Sequence, residues 1–346
     1  MKFYSARRTM VALTATGFLT LGAILPLGLA HAAPPTPDNP AGNILGVIPV
    51  RGAFNAAKVS ASSAGNLLYH SGGSVQTGTH QTYAIYWGSD FSYNGVSGTA
   101  SPNGYQTLIN AYFGNVAADS VKIPNTSNVY YSDTQYYQNI GTTTHVQYSE
   151  QFSGTWSDTM LPASNGCTST AGGSVACVSD AQVQAEVAKA ILTNHWPTGM
   201  GAEYFVYLAN GVSTCAGSSC FVSSFCAYHS HYADSSGQTV LYANMPFTGY
   251  QLSSCSGATG TPNNNAAADA TLSTTSHEAN ETITDPLGNA WYDRRGNENG
   301  DKCAYNYGTQ LGANGSGNYN QSINGTTYEL QQEWSNRSSG CVLTGV

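Results

Sequence analysis

All eight cysteines of this 346-residue chain lie between Cys167 and Cys341. What they can become depends on where the chain folds. Lys2, Arg7 and Arg8 precede an apolar run from Val11 to Leu29, and Ala30-His31-Ala32 offers small residues at a cleavage position. Residues 1–32 therefore read as a secretory signal peptide, not a membrane anchor, with Pro26 and the small-residue site arguing for removal. No later segment is apolar and long enough to span a bilayer, so no membrane contact is expected once the leader is cut. In an exported protein an even set of thiols becomes disulfides. The rival, a zinc–thiolate cluster, lacks a CxxC pair anywhere in the sequence. Connectivity stays open, although proximity along the chain favours Cys167 with Cys177 and Cys303 with Cys341.

Charge narrows the partners. Lys and Arg total 11 against 19 Asp and Glu, a net charge of −8, and removal of the leader strips three of those cations. A surface that tracks phosphates lacks the cations it needs, so nucleic acid is excluded as a partner. Only 9% of residues are charged, but 41% are hydrophobic and 11% aromatic, enough to build a sizeable core.

Residues 33–65, rich in Pro, Ala, Ser and Gly, read as a linker or pro-segment with no element of their own. Residues 66–346 then form a single α/β domain. Thr82–Trp87 has strand composition, stopped by Gly88. Ser101 and Pro102 suit a helix start, Leu108, Ile109, Tyr112 and Phe113 form its stripe, and Gly114 its end. Tyrosine-rich stretches at 128–137 and 142–148 read as strands. Ser179 and Gln182 have capping-box spacing ahead of Val183, Val187, Ala190 and Ile191. Residues 203–208, 222–231 and 240–246 read as further strands, the last two able to pair. A final helix, Ala266 to Thr284, ends where Asp285-Pro286 forbids continuation. The expected fold is α/β (α+β): a mixed β-sheet with packed helices, a metal-binding helix, and C-terminal loops stapled by disulfides.

That last helix carries His277-Glu278-Ala279-Asn280-Glu281. Residues four apart share a helix face, so His277 and Glu281 can converge on one cation while Glu278 faces the adjoining space. In the related HExxH pattern two imidazoles hold zinc and the intervening Glu takes a proton from metal-bound water. Here a carboxylate replaces the second imidazole. The site is then harder and more anionic, accepts Ca2+ or manganese as well as the expected Zn2+, and acidifies its water less. Glu298, then Asp301, are the candidates for the remaining ligand, on a glycine-bounded turn beside Cys303. A solvated turn, or a separate calcium loop of Asp293, Asn297, Asn299 and Asp301, is the competing reading of that segment. Asp285 suits a supporting role behind the ligands. His229 and His231 share one face of a strand, and His229 is the candidate for a ligand or an oxyanion donor. Six acids between Glu278 and Asp301 crowd a chain with few charges, which solvation alone does not explain. Neither a GxSxG elbow nor a GxxxxGK loop is present.

Leu67-Leu68-Tyr69-His70-Ser71-Gly72-Gly73, Tyr83-Ala84-Ile85-Tyr86-Trp87-Gly88, Phe225-Cys226-Ala227-Tyr228-His229-Ser230, Thr284-Asp285-Pro286, Ala290-Trp291-Tyr292 and Glu298 to Cys303 are scattered short motifs over residues 66–345. In them the chain resembles the secreted phosphate-induced (EXORDIUM-like) proteins. The resemblance implies an extracellular protein associated with cell walls, of a family without a firmly established biochemical activity. Plant members tend to lack the His-Glu pair, so His277 and Glu278 make this chain similar to a bacterial-type branch that resembles zincin metallopeptidases at the helix. Two functions follow as expectations. One is a secreted metal-dependent hydrolase, a zinc endopeptidase acting on an extracellular protein or peptide, with Glu278 and His229 catalytic and His277, Glu281, Glu298 and Asp301 at the metal. The other is a non-catalytic module that binds cell-wall polysaccharide or a protein partner, using its 23 tyrosines as a contact surface.

Overall fold

A computed structural model describes residues 45–51, 65–99, 101–122, 128–169, 174–257, 260–314 and 317–345. They lie within one compact unit, Pro34–Val346; the leader expected at residues 1–32 falls outside them. The chain is mixed α/β. A six-stranded sheet holds β1 (Leu45–Pro49), β2 (His80–Trp87), β3 (Glu150–Asp158), β4 (Ala202–Leu208), β5 (Phe225–Ala233) and β6 (Thr239–Met245), in the order β1-β5-β6-β4-β2-β3. Four neighbouring strands, β6, β4, β2 and β3, are parallel; β5 is antiparallel to both β6 and β1. Parallel neighbours need long crossovers, supplied by α1 (Tyr105–Ser120) between β2 and β3 and α2 (Asp180–Asn194) between β3 and β4. β2 and β4 are buried nearly throughout, which is why they read as unbroken apolar runs.

Several local expectations hold and others are corrected. The Ser179–Gln182 capping box is present, and α2 ends at His195 in the left-handed conformation. Ser101 caps nothing: the Gly104 N–H closes a turn on the Ser101 carbonyl at 2.9 Å, and α1 begins only at Tyr105. Gly114 does not stop α1 either, because Val116 beyond it is drawn into the core. Residues 129–135 form a 3-10 helix capped by the Asn128 side chain, not a strand. The linker reading of residues 33–65 fails at Leu45–Pro49. That segment has no period of its own, and pairing with β5 makes it a strand.

The third long helix, α3 (Ala266–Thr284), starts at Asn265, whose side chain accepts the Ala268 N–H, and stops before Pro286. It packs on β1, β5, β6 and α1. Residues 267–284 are all buried, yet many are Ser or Thr. Core phenols satisfy them: Tyr105 meets Thr271 at 3.0 Å and Tyr207 meets Thr275 at 3.1 Å. Ten tyrosines are among the largest fully buried side chains, so those ten lie outside any contact surface.

Further along the same face of α3, His80 is buried between Glu150 (Nδ1–Oε2 2.7 Å) and Glu203 (Nε2–Oε2 3.0 Å), and Thr282 donates to Glu203 at 2.8 Å. Burial alone would lower the His80 pKa, but the two carboxylates raise it to about 10. The ordinary value is 6.5, so this contribution to stability is complete below about 6.5 and is lost as pH rises through about 10. His80→Ala leaves two buried carboxylates unpaired and is expected to cost roughly 3–5 kcal/mol. Urea midpoints at pH 6 and pH 10 test both statements: the gap between wild type and variant should shrink at the higher pH.

Four disulfides, Cys167–Cys177, Cys215–Cys220, Cys226–Cys255 and Cys303–Cys341, leave no cysteine free among the described residues. The two pairs expected from proximity are among them. Cys303–Cys341 ties down the turn that carries Glu298 and Asp301. Its sequence separation of 38 makes the loss of this bond in Cys341→Ser worth roughly 4 kcal/mol. No helix among the described residues is long and apolar enough to cross a membrane.

Candidate metal centre

Strand alternation puts His229 of β5 toward α3, where Glu281 projects from the last turn of the helix. The negative end of the helix dipole disfavours a carboxylate there and favours a cation. Glu281 lies between two imidazoles. Its Oε1 is 3.0 Å from His277 Nε2 and its Oε2 is 3.7 Å from His229 Nε2. Glu298 extends the His229 side, with Oε2 at 3.4 Å from Nε2. Asp301 extends the other side, with Oδ1 at 3.9 Å from His277 Nε2, and its backbone N–H donates to Glu281 Oε1 at 2.8 Å. Glu278 offers an oxygen within 4.8 Å of ligand atoms of both His229 and Glu281. His229, His277, Glu278 and Glu281 are fully buried and Glu298 is 5% exposed.

These acids have little to offset them. Burial, then Glu281, Asp301 and Glu203, push the Glu278 pKa well above the carboxylate range, with the Ile48 N–H pulling weakly the other way. Burial does the same to Glu281 and Glu298, and holds Asp301 at about 8. Lys302, in the same turn, is drawn to Asp293 at 3.2 Å. Glu333, raised by burial and then by Asp133, and Asp133, raised by burial and then by Glu150, add two more buried acids. Both oxygens of Glu278, Oε2 of Glu281 and Oε1 of Glu298 complete no hydrogen bond. Buried carboxylates without partners are costly unless a cation joins them.

Gln331 decides how His277 is used. Its Oε1 accepts the Tyr305 N–H at 3.1 Å, and its Nε2 donates to the Gly300 carbonyl at 3.2 Å and to His277 Nδ1. Inverting the amide would set N–H against N–H and oxygen against oxygen. With Nδ1 accepting, a neutral His277 carries its proton on Nε2, which completes no hydrogen bond although Glu281 Oε1 lies 3.0 Å away. Burial lowers its pKa to about 4, so the ring is neutral. The buried atoms of the group that complete no hydrogen bond are thus His277 Nε2, His229 Nδ1, both Glu278 oxygens, Glu281 Oε2 and Glu298 Oε1.

The donors fit a divalent cation. A tetrahedral ion with N and O ligands at about 2.0–2.2 Å holds them roughly 3.3–3.5 Å apart; the separations from His229 Nε2 of 3.4 Å to Glu298 and 3.7 Å to Glu281 match that spacing, while the donors that lie within 4.8 Å of one another are His229, Glu278 and Glu281 on this side and His277, Glu281 and Asp301 on the other. A separate calcium loop is contradicted. Asp293 is filled by the Arg295 and Asn297 N–H groups and by Lys302, and Asn299 bonds Asp133 and Thr284. Asp285 faces two ways: it adds to burial in raising the Glu281 pKa, and its Oδ2 completes no hydrogen bond. Its Oδ1 accepts the N–H groups of Asn289 and Ala290, both at 2.6 Å, the turn chemistry of an Asp before Pro. His231 is partly buried and joins neither group of donors.

Gln331, Gly300 and Gly46 escape a sequence reading. A methyl group on Gly300 would lie 2.7 Å from His277 Nδ1 and 2.9 Å from Glu281 Oε1. Gln331 stands 54 residues from His277, and no local pattern announces either. The chain matches no protein-family model, no curated protein and no solved structure.

Proposed function

We propose that this chain is a secreted metal-dependent hydrolase, a zinc endopeptidase, with the ion held by Glu281, His229 and Glu298. The observation that carries the reading is the fully buried group of His229, Glu278 and Glu281, in which both Glu278 oxygens and Glu281 Oε2 complete no hydrogen bond. An imidazole in the set favours zinc over calcium, which prefers oxygen alone. Bound zinc would polarise a carbonyl and acidify a water, less strongly than with two imidazoles because two carboxylates neutralise it. The chain's own residues do the rest. Glu278, on the His229 side, takes the proton of the attacking water and returns it to the amine that leaves as the peptide bond breaks. The Asp301 backbone N–H holds Glu281 in place through its Oε1. The resemblance to EXORDIUM-like proteins, the leader and the disulfides support export.

Glu278→Gln tests this. Zinc stoichiometry should be unchanged while peptide hydrolysis falls by about 10²–10⁴; equal hydrolysis by the two proteins would end the enzyme reading. One observation favours the non-catalytic EXORDIUM-like module: the acids and imidazoles are closed from solvent. That reading predicts that capture by cell-wall polysaccharide survives both Glu278→Gln and chelation.

A further inference from the structure

The strand that completes the sheet also closes the centre. β1 pairs with β5 so that Leu45 faces His229 and Val47 faces Tyr228, with a register shift that leaves Gly46 as an extra, bulged residue. Its φ is +30°, and a methyl group there would overlap His229 and Glu281 Oε2. Two residues on, the Ile48 N–H faces Glu278. Main chain at 46–48 therefore lies against three of the groups assigned to chemistry, on the side where the ion and its water belong. Only glycine fits at the bulge.

β1 is also the outermost strand of the sheet. It is held by pairing to β5, by Leu45 against Gly288, by Tyr305 donating to the Pro49 carbonyl at 2.5 Å and by the Arg51 N–H on the Ser254 carbonyl at 2.8 Å. Were it to leave, β5 would present a row of unpaired backbone groups beside His229. An exposed edge of that kind takes up an extended polypeptide by strand addition.

We infer that the edge of β5 is a docking site for an extended peptide segment, and that residues 45–49 occupy it in cis. The inference rests on the hydrolase reading for its consequence. The substrate class is extended polypeptide laid antiparallel to β5, and it is excluded while β1 is in place. Occlusion in cis lowers apparent affinity in proportion to the fraction of open molecules.

The full chain tests this in three forms: wild type, Gly46→Val, which forces β1 off His229, and Ile48→Asp, which removes its buried anchor. The probe is a dye-labelled peptide with the sequence of residues 43–51, read by fluorescence anisotropy, with zinc uptake measured in parallel. The expected result is capture at least about tenfold tighter by both variants than by wild type. Variants that keep native near-UV dichroism yet bind the peptide no better would overturn the inference, whatever their zinc content. Tight peptide capture without zinc or hydrolysis would sustain the docking site and remove the hydrolase reading. Should the variants not fold, hydrogen exchange of wild type decides. Val47 and Ile48 amides should exchange at least about tenfold faster than those of β6, through local opening of β1; equal protection would make β1 a permanent member of the sheet and overturn the proposal.

Discussion

Glu281→Gln is expected to abolish stoichiometric zinc binding, weakening it by at least about 10³-fold, and His229→Ala to do nearly the same. Glu281 is the one side chain placed between both imidazoles, and the amide keeps its shape while removing the charge that offsets the cation. His277→Gln should behave differently. Gln331 turns His277 Nδ1 into an acceptor and leaves the proton on Nε2, so the loss is that of a supporting group, about 10–100-fold. Gln331→Leu, which frees the ring, should fall in the same range. Competition against a chromophoric chelator ranks the four variants. A His277 variant that loses zinc as completely as Glu281→Gln, with His229→Ala near wild type, would move the ion to the His277–Asp301 side.

The second large effect is on stability. In the ion-free chain burial raises the pKa of Glu278, Glu281 and Glu298, and holds Asp285 at about 7 and Asp301 at about 8. In the unfolded chain such groups titrate near about 4. Between these limits the folded state binds more protons than the unfolded one, so ion-free stability falls as pH rises from about 4 to about 8. Zinc binds the deprotonated acids and should remove this slope. Urea midpoints after chelation should therefore drop from pH 5 to pH 8, and excess zinc should restore roughly 4 kcal/mol at pH 8, at a thousandfold excess over Kd, and far less at pH 5. His80 loses its ion pairs over an overlapping range, but equally with and without zinc, so the difference isolates the centre. Equal stabilisation at both pH values would contradict the account.

How much of this was legible depends on whether the cause was local. The limits of α3 could be read because an Asn cap and an Asp-Pro stop act within one turn, and the capping box of α2 for the same reason. His277, Glu278 and Glu281 were visible because a helix fixes their spacing. Glu298 and Asp301 were reachable through the crowding of acids. By contrast, β1 is a strand only because β5 lies beside it, and Gly46 matters only because His229 and Glu281 lie beneath it. Gln331 meets His277 from a position set by the C-terminal loops, and Asp285 gives one oxygen to the turn it begins. The tyrosines were read as a surface, although their phenols serve the hydroxyls of a buried helix.

The most direct test is X-ray diffraction from zinc-grown crystals, recorded on both sides of the zinc absorption edge. The account predicts one anomalous peak per chain within bonding distance of Glu281, His229 and Glu298. A map without a peak there, or with one held by His277 and Asp301 away from His229, would contradict it.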